Sequence, residues 1–187
     1  MPENKRPRIK KDIHQEIVDD QAYIENACSK NAKKIKHISD NIITEFWIDK
    51  HYSIRNQHGD DFGSREGIDL ETVEDVINKS FKILKFFNFK NEKFTFVNFP
   101  PKKIRPLRIV LKQVFEKDEI LNIIVEYNFI ELNLYEVTVV TALRKENFTL
   151  SDGQYGIVFN FDSVELMFNV RGKEILVDEY FYQNRLL

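Results

Sequence analysis

The stretch Trp47–Phe87, WIDKHYSIRNQHGDDFGSREGIDLETVEDVINKSFKILKFF, is where the chain is organised. Its second half sets Leu70, Val73, Val76, Ile77, Phe81 and Leu84 at helical spacing, which gives one apolar face and one charged face. Asp69 is a natural N-cap, because its side chain can accept from the free N–H groups of the first turn. Glu71, Glu74 and Asp75 come early and Lys79, Lys82 and Lys85 late, as the helix dipole favours. The pattern predicts a core helix from Asp69 to about Phe87. The first half predicts a shorter helix over 51–58, ended by Gly59, with His51 and Arg55 one turn apart. A polar, glycine-containing loop over 56–67 carries Arg65.

Upstream, residues 12–38 place Ile13, Ile17, Ile24, Ala27 and Ile35 roughly on one helical face. Asp12 with Gln15 resembles a capping box, and Lys30, Lys33, Lys34 and Lys36 suit a helix C-terminus. An N-terminal helix is therefore expected, with Ser39-Asp40-Asn41 as a break. Residues 42–48 fit a strand or a helix start equally, and Phe46 and Trp47 make them core material in either case. Residues 1–11 carry Lys5, Arg6, Arg8, Lys10 and Lys11 with Pro2 and Pro7, which predicts a basic disordered arm.

Downstream of Asn88 the period changes to two. Strands are expected near 94–97, over 108–115, 120–130 and 135–143, then over 157–161, 164–170 and 174–180, with Arg171-Gly172-Lys173 as a hairpin turn. Helices first and strands afterwards predict an α+β fold: N-terminal helices packed on one face of a mostly antiparallel sheet, with extra C-terminal strands. The organisation expected is a 1–11 arm, a 12–146 core, and 147–187 strands continuous with that core.

Composition narrows the class. The chain has 187 residues, 42% of them apolar and 13% aromatic, enough apolar surface to offset the entropy of ordering. A net charge of −2 gives no general affinity for polyanions. The single cysteine, Cys28, excludes an internal disulfide and a cysteine-ligated zinc site. The charged start and the lack of a long apolar run give no signal peptide or membrane span, so a cytoplasmic protein is expected.

The four histidines are scattered, and none makes the i, i+4 pair of a helical zinc site. There is no phosphate-cradling glycine loop and no nucleophile elbow. No cofactor is expected. Metal-free RNA transesterification asks for less: a proton shuttle, fixed cations for the developing charge, and a hydroxyl. His51 fits the first role, and Arg55 and Arg65 fit the second through the forked guanidinium. Thr138 or Thr141 on the fourth strand could face them, with Arg144 and Lys145 at its end. Taken alone, the same residues read first as surface polars on a core-packed helix.

The layout H-Y-S-I-R, then R-E-G-I-D-L-E-T-V-E-D-V-I, then strands ending in Y-E-V-T-V-V-T-A, resembles the metal-independent ribonuclease superfamily of barnase, EndoU, colicin and RelE-like toxins. The resemblance covers about residues 42–143. It implies a toxin-like endoribonuclease acting through the RNA 2′-hydroxyl. His51 would be the acid/base, Arg55 and Arg65 phosphate contacts, and Thr141 the sheet residue. The partners implied are RNA and a cognate inhibitor or other protein. A slightly acidic, Phe-rich domain also fits a non-catalytic interaction protein, such as an immunity or antitoxin-like partner or a phage-encoded regulator.

Overall fold

The sheet, not the helices, dominates the molecule. The computed structural model describes residues 22–39, 43–58, 68–101, 104–115 and 119–182, of which 47% are strand and 20% helix. In chain order the elements are β1 (Ala32–Ser39), β2 (Ile43–Asp49), α1 (Lys50–His58), α2 (Leu70–Lys90), β3 (Val97–Asn98), β4 (Ile109–Val114), β5 (Ile120–Glu131), β6 (Leu134–Arg144), β7 (Tyr155–Phe159), β8 (Ser163–Val170) and β9 (Lys173–Phe181). One mixed sheet holds all nine strands in the order β1-β2-β6-β5-β4-β7-β8-β9, with β3 joined to β5 off that path. The β2–β6, β3–β5 and β4–β7 pairings are parallel.

This architecture corrects the expectation of N-terminal helices packed on a mostly antiparallel sheet. Residues 32–39, expected to close an N-terminal helix, form β1, antiparallel to β2. The five apolar residues expected on one face leave gaps of seven positions between Ile17 and Ile24 and eight between Ala27 and Ile35. The stripe is therefore interrupted, and a helix without continuous packing is marginal in water. Pairing with β2 satisfies the same backbone groups, buries Ala32, and packs Ile35 against the core. Lys34 secures the pair with an ion pair to Glu45 at 2.6 Å and lies over the Trp47 ring. The expected arm and residues 12–21 lie outside the described residues.

The helix predicted from Asp69 forms. Asp69 caps it, its carboxylate accepting from the Thr72 N–H at 2.7 Å. Its buried residues Val73, Val76, Ile77, Leu84 and Phe87 pack with the sheet face of Phe46, Ile109, Leu111, Ile123, Val125 and Val137. Each such side chain contributes roughly 1.5–3 kcal/mol on full burial. Ser80, the one polar residue on that face, donates to the Ile77 carbonyl and meets the Tyr127 hydroxyl at 2.8 Å.

Among the described residues, two segments cover the opposite face. Over its centre the loop after β6 lays Leu150 and Phe148 on Val110, Ile124 and Leu143. Gly156 of β7 leaves room for this, since a Cβ there would lie 3.0 Å from the Leu150 methyls. Lys112 holds the loop by donating to the Phe148 carbonyl at 3.0 Å, and Glu174 by accepting from the Leu150 N–H at 2.7 Å. Over β2, β6 and β5 lies the segment 22–31. The β8–β9 hairpin turns through Arg171 and Gly172, both at positive φ (53° and 80°), the geometry of a two-residue primed turn.

Candidate functional site

His51 sits in the first turn of α1 with its side chain exposed, its backbone N–H donating to Asp49 Oδ1 at 2.8 Å. Arg55 follows one turn later in the same helix. Arg65 lies outside the described residues. Thr141 is half-buried on β6, opposite Ile124 of β5. Because β2 runs parallel beside β6 and leads directly into α1, the helix packs against the end of β6 that bears Thr141. His51 and Thr141 are thus brought onto neighbouring elements. Thr138, the other hydroxyl considered, is fully buried and accepts from Asn26 Nδ2 at 2.8 Å.

A cavity of about 220 Å³ does lie beside α1, and its polar lining is Tyr23, Lys33 and Ser53 rather than His51 or Thr141. Tyr23 Oη donates to Ser53 Oγ at 2.7 Å, and Ile35, Ile48 and Leu70 form the apolar wall. Ser53 lies between His51 and Arg55 in sequence, and a serine in a short helix carries no pattern that marks it as a site residue.

The segment 22–31 covers a polar strip that sequence reasoning also missed. Glu136 on β6 is buried and accepts from the Ala27 N–H at 3.0 and 3.2 Å. Burial pushes its carboxyl above the ordinary range, against the lowering effect of that N–H. Glu126 on β5, 1% exposed, pairs through Oε1 with Arg108 Nε at 2.7 Å. Its Oε2 is buried with no partner at hydrogen-bond geometry. Burial first, and the Glu126 carboxylate second, push the Cys28 thiol well above its usual range. Cys28 is held as a thiol, which makes it a weak nucleophile. Glu136 fastens the N-terminal segment to the sheet; Glu126 and Glu136 are closed off from solvent, while Cys28 is half-buried.

At the far end of the sheet the surface is different. Strand β9 is a terminal strand of the sheet, with β8 as its partner, and no described strand covers its outer edge. Leu176 and Phe181 on this strand are 54% and 60% exposed, and Ile175, Val177 and Tyr182 are exposed as well. Phe161, in the turn between β7 and β8, stands fully in solvent beside the strand's end, where Tyr182 N–H donates to the Asp162 carbonyl at 3.0 Å. The alternation in this segment signalled a strand, but its position as the sheet's edge depends on the β4–β7 crossover.

Among the described residues no three His, Cys, Asp or Glu side chains are grouped so as to hold a metal ion. No described helix is long and apolar enough to cross a membrane. No family model, curated protein or solved structure matches this chain.

Proposed function

We propose that this chain is a non-catalytic interaction protein that recognises a protein partner at the β8–β9 end of its sheet. The observation that carries the reading is the β9 edge, which no described strand covers and which is flanked by exposed Leu176, Phe181, Tyr182 and Phe161. An open edge with apolar side chains is a template for pairing with another chain, and large exposed apolar patches mark interaction surfaces. The buried carboxylates Glu136 and Glu126 are held by the Ala27 N–H and by Arg108, so they supply no competing exposed chemistry. The test is site-specific photo-crosslinking in the source cell, with the photoreactive residue at Leu176 or, as a control, at Lys82 on the exposed side of α2. A discrete adduct from Leu176 alone is expected. Adducts of equal yield from both positions, or none, would overturn the reading.

A second reading, metal-independent RNA cleavage through the 2′-hydroxyl, has one supporting observation. The helix carrying His51 and Arg55 packs against the strand carrying Thr141. RNA and a cognate inhibitor would then be its partners.

A further inference from the structure

The β8–β9 end has a charge pattern that specifies the kind of partner it takes. In the sheet register Glu165 of β8 lies directly opposite Glu179 of β9. Val164 and Leu166 face the α2-side core, and Tyr180 packs on Phe86 of α2. Side chains alternate along a strand, so Glu165 and Glu179 both project from the opposite face. Like charges directly opposed across a strand pair are destabilising. The neighbouring carboxylates are neutralised: Glu174 pairs with Lys112, and Asp178 pairs with Lys90 and accepts from Asn91. Neither Glu165 nor Glu179 has a side-chain partner among the described residues, and both are partly solvent-accessible.

Leu176 and Phe181 share that face, so the carboxylate pair lies within an apolar strip. A strand added beside β9 would extend the row Glu165–Glu179 by one position, and a cation there would relieve the repulsion. The bulge at Val177, where Met167 pairs with Leu176 and Leu166 with Asp178, divides the edge into a Lys173–Leu176 side and an Asp178–Phe181 side. On the latter the Glu179 N–H already donates to Asp178 Oδ1 at 2.8 Å, a contact that an added strand must displace.

We infer that the partner presents a short extended segment alternating basic and apolar residues, which pairs with the Asp178–Phe181 edge and sets a Lys or Arg against Glu165 and Glu179. This rests on the interaction reading above, and backbone hydrogen bonds supply the affinity while the side-chain row supplies the selection.

The experiment measures anisotropy of labelled peptides titrated with the full chain. The probes are an alternating Lys/Val peptide, its Glu/Val and Ser/Val counterparts, and a Lys/Val peptide of the same composition in two blocks. The alternating Lys/Val peptide should bind best. The double variant E165Q/E179Q, checked for unchanged circular dichroism, should weaken it by about three- to tenfold, the worth of two exposed ion pairs. Undiminished affinity in the double variant, or equal binding of the Glu/Val or block peptide, would overturn the inference. If the Ser/Val peptide binds as tightly as Lys/Val, charge selection fails while the interaction reading stands. If no peptide binds and Leu176 captures nothing, both fail.

Discussion

Removing the Ser80 hydroxyl should destabilise this protein more than removing the Tyr127 hydroxyl, and removing both should recover part of the loss. Both residues are fully buried between α2 and the sheet. Ser80 Oγ donates to the Ile77 carbonyl at 2.7 Å, which uses its one hydrogen. The 2.8 Å contact between the two hydroxyls must therefore be donated by Tyr127. Tyr127→Phe deletes that donor and leaves Ser80 still bonded to Ile77, a loss of about 0.5–1.5 kcal/mol. Ser80→Ala leaves the Tyr127 O–H buried with no acceptor, which costs about 1–3 kcal/mol. The higher helix propensity of alanine returns up to about 0.5 kcal/mol of this. The double variant contains no orphaned hydroxyl, so its stability should lie near that of Tyr127→Phe. Urea unfolding of the four proteins gives the cycle directly, provided the slopes agree. A double variant whose loss equals the sum of the two single losses would refute the assignment of donor and acceptor.

Leu84→Ala should cost about 2–5 kcal/mol, since Leu84 is fully buried against the sheet, and unfolding at an unaltered urea midpoint would show that α2 packs by another face. Glu136 titrates higher in the folded chain, so its contribution is fully present below the ordinary glutamate pKa of about 4.3 and is lost as pH rises through the folded value. Glu136→Gln should flatten the fall in stability over that window, measured by unfolding at several pH values, and an identical slope would contradict the sign. If RNA is the substrate, the purified chain should cleave it in EDTA and leave 2′,3′-cyclic ends, with His51→Ala slower by about 10²–10⁴-fold. Cleavage that survives His51→Ala at full rate would remove His51 from that reading.

Much of the local structure follows from residues close together in sequence. Asp69 capping through Thr72, the apolar stripe from Val73 to Phe87, and the Arg171-Gly172 turn each depend on contacts within a few positions. The strands from Ile109 to Phe181 were legible from alternation of apolar side chains, because each face repeats every second residue. Strand β1 was not, since its lysines and isoleucines fit a helix as well as a strand and only pairing with β2 decides between them. The parallel β2–β6 and β4–β7 pairings join segments far apart in sequence, and no local pattern encodes which strands meet. The candidate sites divide in the same way. His51 and Arg55 were visible as a pair on one short helix, while their neighbour Thr141 is placed only by the β2–β6 crossover. Glu126, Glu136, Glu165 and Glu179 are indistinguishable as letters. Register alone buries the first two beneath residues 22–31 and sets the last two face to face on the terminal strand pair β8–β9.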